Sequence, residues 1–382
     1  MSQTASASKY SEGGERLYLA FELGWKVWKL AFTVGLGERV FEASTDARDF
    51  GRLMQVIDRA RRRFGLSAQC PVTSCYEAGR DGFWLDRWLR TKGIANRVVD
   101  SSSIQVDRRA RRLKTDRLDA RKLLTMLVRY EVGDSGVWSV VKPPSEAQED
   151  ARHLHRELRT LKKEQTRLIN RIKGLLASQG VSARMGRNGL LKPLEQIRIW
   201  DGSPLREGLR GRIKRELERH DFVHKQVLDL EAETRTVVRE SSEIAMDQVR
   251  RLMALRGVGR TSASILIHEF GWRGFRNRRQ VGSLSGLTPT PFQSGNSMRQ
   301  GGISKAGNRH VRGIAIDLAW AWLRFQPDSD LSQWYQRRFA EGGSRLRRIG
   351  IVAVARKLLI ALWRFWASGQ LPGGAVLKSC AA

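Results

Sequence analysis

Four carboxylates in this chain have the types and positions that phosphodiester chemistry uses. Glu22 closes an apolar run, Leu17–Leu23, and Glu77 closes a second, CPVTSCYEA. Asp116 and Asp119 lie in KTDRLDARK, and that i,i+3 spacing turns both side chains to one helix face. Carboxylates that converge this way bind Mg2+ through oxygen. Two such ions about 4 Å apart activate an attacking oxygen and stabilise a leaving one. Arg108, Arg109, Arg111 and Arg112 in RRARR, with Lys114, Arg117, Arg121 and Lys122, surround the later acids with phosphate-attracting charge. A plainer reading stands beside this one. Acids next to arginines are more often solvated salt bridges, which suits Asp116 with Arg117 or Arg121. Asp100 and Asp107 also compete for the later positions. Placement on two strand ends and one helix is what favours a metal site.

A second group lies far along the chain, in GLTPTPFQSGNSMRQGGISKAGNRHVR. A serine beside glycine, with open backbone and cations near it, can approach and attack a phosphodiester. Ser294 is the first choice, with Ser297 and Ser304 as rivals. Arg299, Lys305, Arg309 and Arg312 are placed to clamp phosphate oxygens. Serine-rich loops also commonly cap helices or make turns, so spacing alone leaves the choice open.

The elements that must position these groups can be read from periodicity. After a polar lead, residues 1–16, expected to be disordered, come strands at Leu17–Leu23 and Val27–Val34, with Trp25 and Lys26 at the turn between them. A weaker strand follows around Val40, then a helix in FGRLMQVIDRARRRFG stopped by Gly65. CPVTSCYEA gives a strand, GFWLDRWLR a helix, ANRVVD a strand and residues 114–130 a helix, with GVWSVV as an edge strand. The order β-β-β-α-β-α-β-α matches a ribonuclease-H-like core. Pro143 and Pro144 end that domain, expected over 17–142.

Residues 143–245 change character. Leu154, Leu158, Leu161, Gln165, Leu168, Ile172 and Leu175 form a heptad seam. A second, less apolar seam runs Val223, Val227, Leu230, Thr234, Val237, Ser241, Ile244. Together they indicate an antiparallel coiled-coil arm, paired within the chain or between subunits. From about 246 to 375 the chain reads as mainly helical, with 376–382 as a tail. LMALRGVGRTSASILIHEF has a helix–GVG–helix pattern. Gly257 and Gly259 there either expose backbone N–H groups to a DNA phosphate, as in a helix-hairpin-helix, or simply link two helices. The apolar stretch near residue 350 carries Arg356 and Lys357 in its middle, which suits a buried or interface helix and no membrane span.

Composition narrows the partners. Lys and Arg number 69 against 39 Asp and Glu, a formal charge of +30. Such an excess points to a polyanion, because each neutralised phosphate releases counterions. Three cysteines, Cys70, Cys75 and Cys380, make neither a disulfide framework nor a zinc pattern, and the N-terminus carries no apolar signal segment. A cytoplasmic, nucleoid-associated bacterial protein fits.

Taken as a set, FELG, SCYEAGRDGFWL, VVDSSSIQVDRRARRLKTDRLDARKLL, LRGVGRTSA, GLTPTPFQSG and ISKAGNRHVR resemble the DEDD-type insertion-sequence transposases of the one-ten family, most closely its eleven-eleven branch. The resemblance runs from about residue 17 to 375. It implies a RuvC-like N-terminal domain with Glu22, Glu77, Asp116 and Asp119 as a Mg2+-binding tetrad. Glu22 is a departure, since the family pattern begins with Asp. It implies that Ser294 forms a covalent phosphoserine with the cut strand. It further implies a structured non-coding guide RNA pairing with donor and target DNA, and homodimers that join into a homotetramer with sites shared between subunits. Two other readings remain at this stage, a metal-only junction nuclease and a non-catalytic nucleic-acid-binding scaffold.

Overall fold

The computed structural model describes residues 15–104, 116–186, 189–294 and 297–378, and of these the backbone alone at 116, 117, 293, 294 and 297–300. The polar lead, apart from residues 15 and 16, the cations Arg108, Arg109, Arg111, Arg112 and Lys114, and Cys380 lie outside the described residues. Two compact units divide the chain at Pro144 and Ser145.

The first unit is built on a five-stranded mixed sheet. Its strands are β1 Leu17–Leu23, β2 Val27–Thr33, β3 Phe41–Asp46, β4 Val72–Glu77 and β5 Ala95–Val99, in the order β3-β2-β1-β4-β5. β1 and β2 are antiparallel, as are β2 and β3, while β1–β4 and β4–β5 are parallel. Alternation sorts the side chains onto two faces. Leu17, Leu19 and Phe21 point to one face with Trp28, Leu30 and Phe32, against α1 (Phe50–Arg63) and α2 (Trp84–Thr91). Ala20, Ala31, Cys75 and Val99 point to the other, where Ala120, Leu123, Leu124 and Leu127 of α3 (Asp116–Glu131) cover them. The small residues Ala20, Ala31 and Cys75 let α3 approach closely. Asp86 of α2 is buried and accepts from Asn96 Nδ2 at 2.8 Å, and Asn96 accepts from Ser74 Oγ at 2.8 Å, which ties α2, β5 and β4 together.

The edge strand expected in GVWSVV is reduced to a single bridge, Val99 with Val140, flanked by Asp100 N–Ser139 O at 2.9 Å and Val141 N–Val98 O at 2.7 Å. Pro143 and Pro144 lack the N–H groups that would extend it. The weak third strand begins at Phe41, one residue beyond Val40.

The second unit is mainly helical. It comprises α4 (Glu146–Asp150), α5 (His153–Ala177), short strands β6 (Met185–Gly186) and β7 (Gly189–Leu190), α6 (Glu207–Glu240), α7 (Ile244–Met253), α8 (Arg260–Glu269) and α9 (Arg278–Leu284). A hairpin of β8 (Pro289–Ser294) and β9 (Ser297–Ile303) follows, then α10 (Arg309–Phe325), α11 (Asp330–Tyr335) and α12 (Ser344–Ser368).

α5 and α6 pair antiparallel within the chain. Lys162 bonds Glu231 at 2.5 Å, Gln165 meets His224 at 2.9 Å and Arg171 meets Glu216 at 2.9 Å, so one number rises as the other falls. Leu158, Leu161 and Val227 are buried between them, and Ile172, Leu176, Leu194, Ile197, Leu205 and Ile213 form a small core at the far end. The second heptad seam does not run its full length. Val237 is exposed, Val238 is buried in its place, and the helix ends at Glu240 before Ile244 opens α7. A helix of 34 residues keeps its own 3.6-residue period and drifts off a strict heptad. α12 is buried through Val354, Leu358, Leu359, Leu362 and Trp366, as its interrupted apolar stretch suggested, and among the described residues no helix is long and apolar enough to cross a membrane.

Candidate active site

Glu22 and Glu77 are neighbours because β1 and β4 are paired in parallel. The register runs to Phe21 opposite Tyr76, and the next residue on each strand is an acid. Alternation then fixes their direction. Glu22 shares a face with Ala20, and Glu77 with Cys75, so both turn toward the side that α3 covers. Asp119 immediately precedes Ala120, which packs on that same face. The three acids accordingly line one cleft of about 350 Å3, together with Phe21, Arg80, Asp81, Lys122 and Leu123. Asp116 lies one turn earlier on α3, and its side chain is outside the described residues.

Glu77 and Asp119 differ from a row of surface salt bridges. Arg121, a candidate partner for the acids, is bonded instead to Glu42 on β3. Among the described residues the carboxylates of Glu77 and Asp119 take part in no ion pair. Lys29 stands opposite Glu22 across the β1–β2 ladder, and Arg80 and Lys122 bring positive charge to the cleft wall. Cations next to carboxylates let an anionic phosphate approach a site that would otherwise repel it.

The donor chemistry fits a hard divalent cation, since every candidate ligand is a carboxylate oxygen. Among the described residues no three His, Cys, Asp or Glu side chains form a ready-made metal group. The three acids are brought to one cleft, short of a closed cage.

Ser294 lies in the second unit, at the end of β8. It is paired with Ser297 at the start of β9, so both serines sit at the closed end of a hairpin. The signal for the hairpin was the Gly-Asn pair between the two serines, a composition typical of two-residue hairpin turns. Arg299 lies on β9, and the side chains of all three are outside the described residues. Ser304 is exposed just past the hairpin, with its N–H donating to Thr288 O at 2.8 Å.

The foot of the hairpin is packed backbone against backbone. Gly286 has φ +67° and a Cβ there would stand 2.1 Å from Ala306 O, while Gly307 has φ +86° and a Cβ there would meet Leu284 O at 2.2 Å. Lys305 adopts φ +56°, a left-handed conformation that a side chain rarely takes. Arg312 Nη1 donates to Lys305 O at 2.9 Å and to Ser285 O at 3.4 Å. Its guanidinium therefore braces the foot, while Lys305 and Arg309 remain exposed.

Sequence reasoning missed the buried group beneath this foot. Glu269, at the end of α8, is 1% exposed. Arg156 donates to it through Nε at 2.6 Å and Nη2 at 2.9 Å, His155 Nε2 lies 3.1 Å away, and Asn308 Nδ2 donates at 3.0 Å. Asn308 in turn caps α10, its Oδ1 accepting from His310 N at 2.8 Å. Burial alone would raise the Glu269 pKa, but the bonds from His155, Arg156 and Asn308 and the Arg156 charge hold it well below the usual carboxylate range. Burial, with the charges of His155 and Arg152, lowers His268 to about 4. The available signal was an acid and a histidine closing the apolar run SILIHEF.

The GVG turn joins α7 to α8 as a tight link. Gly257 has φ +84°, and a Cβ there would stand 3.1 Å from the Phe325 Cβ. Gly259 is the N-terminal cap of α8. The returning C-terminal segment pins this turn, with Arg256 N donating to Val376 O at 3.2 Å and Lys378 N to Ala254 O at 2.7 Å.

An α/β unit with an acid-lined, cation-flanked cleft, followed in the chain by a helical unit bearing a serine hairpin, has the parts of a DNA-processing enzyme. Comparison with known proteins specifies which one. Residues 249–336 match the family described as transposase IS116/IS110/IS902. The chain is 37% identical over 377 residues to a putative transposase, y4rJ, of Sinorhizobium fredii, covering 95% of each chain. It is 30% identical to a probable family 20 transposase of Pseudomonas aeruginosa, over 86% of this chain and 94% of that one. It is also 28% identical to the transposase for insertion sequence element IS1111A of Coxiella burnetii, over 63% of each. The chain belongs to the IS116/IS110/IS902 transposase family, whose activity is the cleavage and transfer of DNA in transposition.

Proposed function

We propose that this transposase is an RNA-guided recombinase that moves an insertion sequence by Mg2+-dependent, serine-mediated cleavage, exchange and re-ligation of DNA. The observation that best supports the reading is the gathering of Glu22, Glu77 and Asp119 in one cleft beside Lys122 and Arg80. The strand order β3-β2-β1-β4-β5, with α3 behind the acids, supports an RNase H-like, RuvC-like assignment for the first unit.

Glu22, Glu77, Asp116 and Asp119 would hold Mg2+, which when bound offsets the charge that develops on phosphate oxygens. Lys122 and Arg80 attract the phosphate into the cleft. The Ser294 oxygen attacks phosphorus and forms an ester to it. The displaced strand oxygen leaves and takes up a proton as a free hydroxyl. Re-ligation reverses the step, with the hydroxyl of an exchanged strand displacing Ser294. The phosphodiester bond energy is kept in the ester, so no nucleotide triphosphate is consumed.

The remaining cations serve binding. Arg108, Arg109, Arg111, Arg112, Lys114, Arg299, Lys305 and Arg309 contact phosphates, and Arg312 acts through the Lys305 carbonyl. The backbone at Gly257 and Gly259 offers N–H groups to a DNA phosphate at the α8 N-terminus. A charge of +30 suits a protein that holds a structured non-coding RNA and both donor and target DNA. The working assembly is a homodimer that joins into a homotetramer, cytoplasmic and associated with the nucleoid.

Guidance is tested by sequencing RNA that copurifies with the full chain from cells. One structured species with segments matching DNA beside the gene is expected. A heterogeneous sample of cellular RNA would overturn guidance and leave the cleft chemistry standing.

A further inference from the structure

One group that packs on the cleft-lining Arg80 has no part in the chemistry above. Trp25 projects from the β1–β2 turn and is 62% exposed, so its ring is open to a ligand. The turn that carries it is tight, because a Cβ on Gly24 would stand 2.3 Å from Val27 O. Two guanidinium groups lie against the indole, Arg80 at 4.8 Å and Arg48 at 5.1 Å from its ring centroid. The Asp81 carboxylate holds both, with Arg48 Nη2 at 3.5 Å and Arg80 Nη2 at 3.4 Å. Arg48 takes up this position at φ 69°, a backbone conformation that costs free energy in a residue with a side chain. Arg80 and Asp81 also line the acidic cleft with Glu22 and Glu77.

Each feature bears on one ligand class. Guanidinium groups bind phosphate in a bidentate manner, and an exposed indole stacks on a nucleobase. A base inside a duplex has no free face for that contact, so the ligand is unpaired. We propose that Trp25, Arg48 and Arg80 form a clamp for one unpaired nucleotide of the DNA strand that enters the acidic cleft. Trp25 stacks on the base, and the two arginines take its phosphate as it displaces Asp81. The proposal rests on the reading of the cleft as the site of strand cleavage. It adds that the strand must be locally opened beside the scissile phosphate.

The test uses the full chain and single-stranded DNA carrying one 5-iodouracil, photocrosslinked and mapped by mass spectrometry. Crosslinking to Trp25 is expected, and it should disappear in Trp25→Ala. Anisotropy with a labelled single strand should show weakening of about fivefold or more in Trp25→Ala, in line with loss of one base stack. Trp25→Phe should retain most of the binding. Arg48→Ala and Arg80→Ala should each flatten the slope of log affinity against log salt by about 0.7. Crosslinks that map elsewhere and persist in Trp25→Ala would overturn the clamp, as would equal weakening of a duplex or a loss confined to RNA. Glu77→Gln separates the two claims. If it abolishes cleavage while Trp25 gives no crosslink, the clamp fails alone. If it leaves cleavage intact while the crosslink stays, the cleft reading fails alone.

Discussion

Glu22 and Glu77 each follow directly on the last paired residues, Phe21 and Tyr76, of two adjacent parallel strands. Backbone hydrogen bonding alone thus sets two carboxylates side by side, and the cover of α3 adds Asp119 to the same cleft. The relationship is rigid because both strands are buried immediately behind the acids, through Ala20 and Cys75.

Removing charge without changing shape should therefore silence the cleft and leave the fold. Glu77→Gln and Asp119→Asn are each expected to lower strand cleavage in magnesium by a factor on the order of a hundred or more. Circular dichroism and thermal midpoint should stay at the parent values, since neither residue takes part in an ion pair among the described residues. Full cleavage by Asp119→Asn would reject the site.

Much of this arrangement was legible in the sequence. Leu17–Leu23 and CPVTSCYEA are apolar runs of strand length, so both acids could be placed at strand ends. FGRLMQVIDRARRR showed helical periodicity and forms α1. The strands of the hairpin at 289–303 were not legible, because PTPFQS and SMRQGGI lack the apolar alternation of a half-buried strand and only the Gly-Asn pair between them signals a turn. The second heptad seam misled beyond Thr234, where the 3.6-residue period moves burial from Val237 to Val238. Glu269 was invisible for a different reason. Its partners His155, Arg156 and Asn308 are remote in sequence, and only folding brings them together.

The foot of the serine hairpin should be sensitive to a single methyl group. Gly307→Ala places a Cβ 2.2 Å from Leu284 O at φ +86°, and Gly286→Ala does the same against Ala306 O. Each should cost about 1–3 kcal/mol or more in denaturant unfolding. Both should also impair DNA strand transfer more than DNA binding, because the hairpin carries Ser294.

Glu269 should behave as a structural hub. Glu269→Gln keeps the shape but leaves Arg156 and His155 facing a neutral group, and a loss of about 1–3 kcal/mol is expected, because Glu269 is buried while Arg156 stays partly solvated. Urea unfolding measures this directly, and an unchanged midpoint would contradict the role.

Stability should also fall on acidification, for a reason that can be assigned. His268 has its folded pKa lowered to about 4 from 6.5, so its contribution is present above 6.5 and is lost as pH falls toward 4. At full extent that amounts to roughly 3 kcal/mol. Glu269, whose folded pKa is also depressed, adds a further loss below its ordinary value of 4.5. His268→Gln should remove a large part of the dependence between pH 6.5 and 4 in unfolding titrations, the remainder coming from His310, whose pKa burial also lowers. An unaltered slope would show that another group titrates there.

The joint action of the carboxylates and the serine is tested most directly by trapping the covalent step. The full chain with its copurified RNA is incubated with end-labelled donor DNA in magnesium, denatured, and the protein-bound label mapped by mass spectrometry. A phosphodiester adduct on Ser294 is expected, absent in Ser294→Ala and in Glu77→Gln. Cut DNA with no protein adduct would contradict the account in favour of a metal-only nuclease.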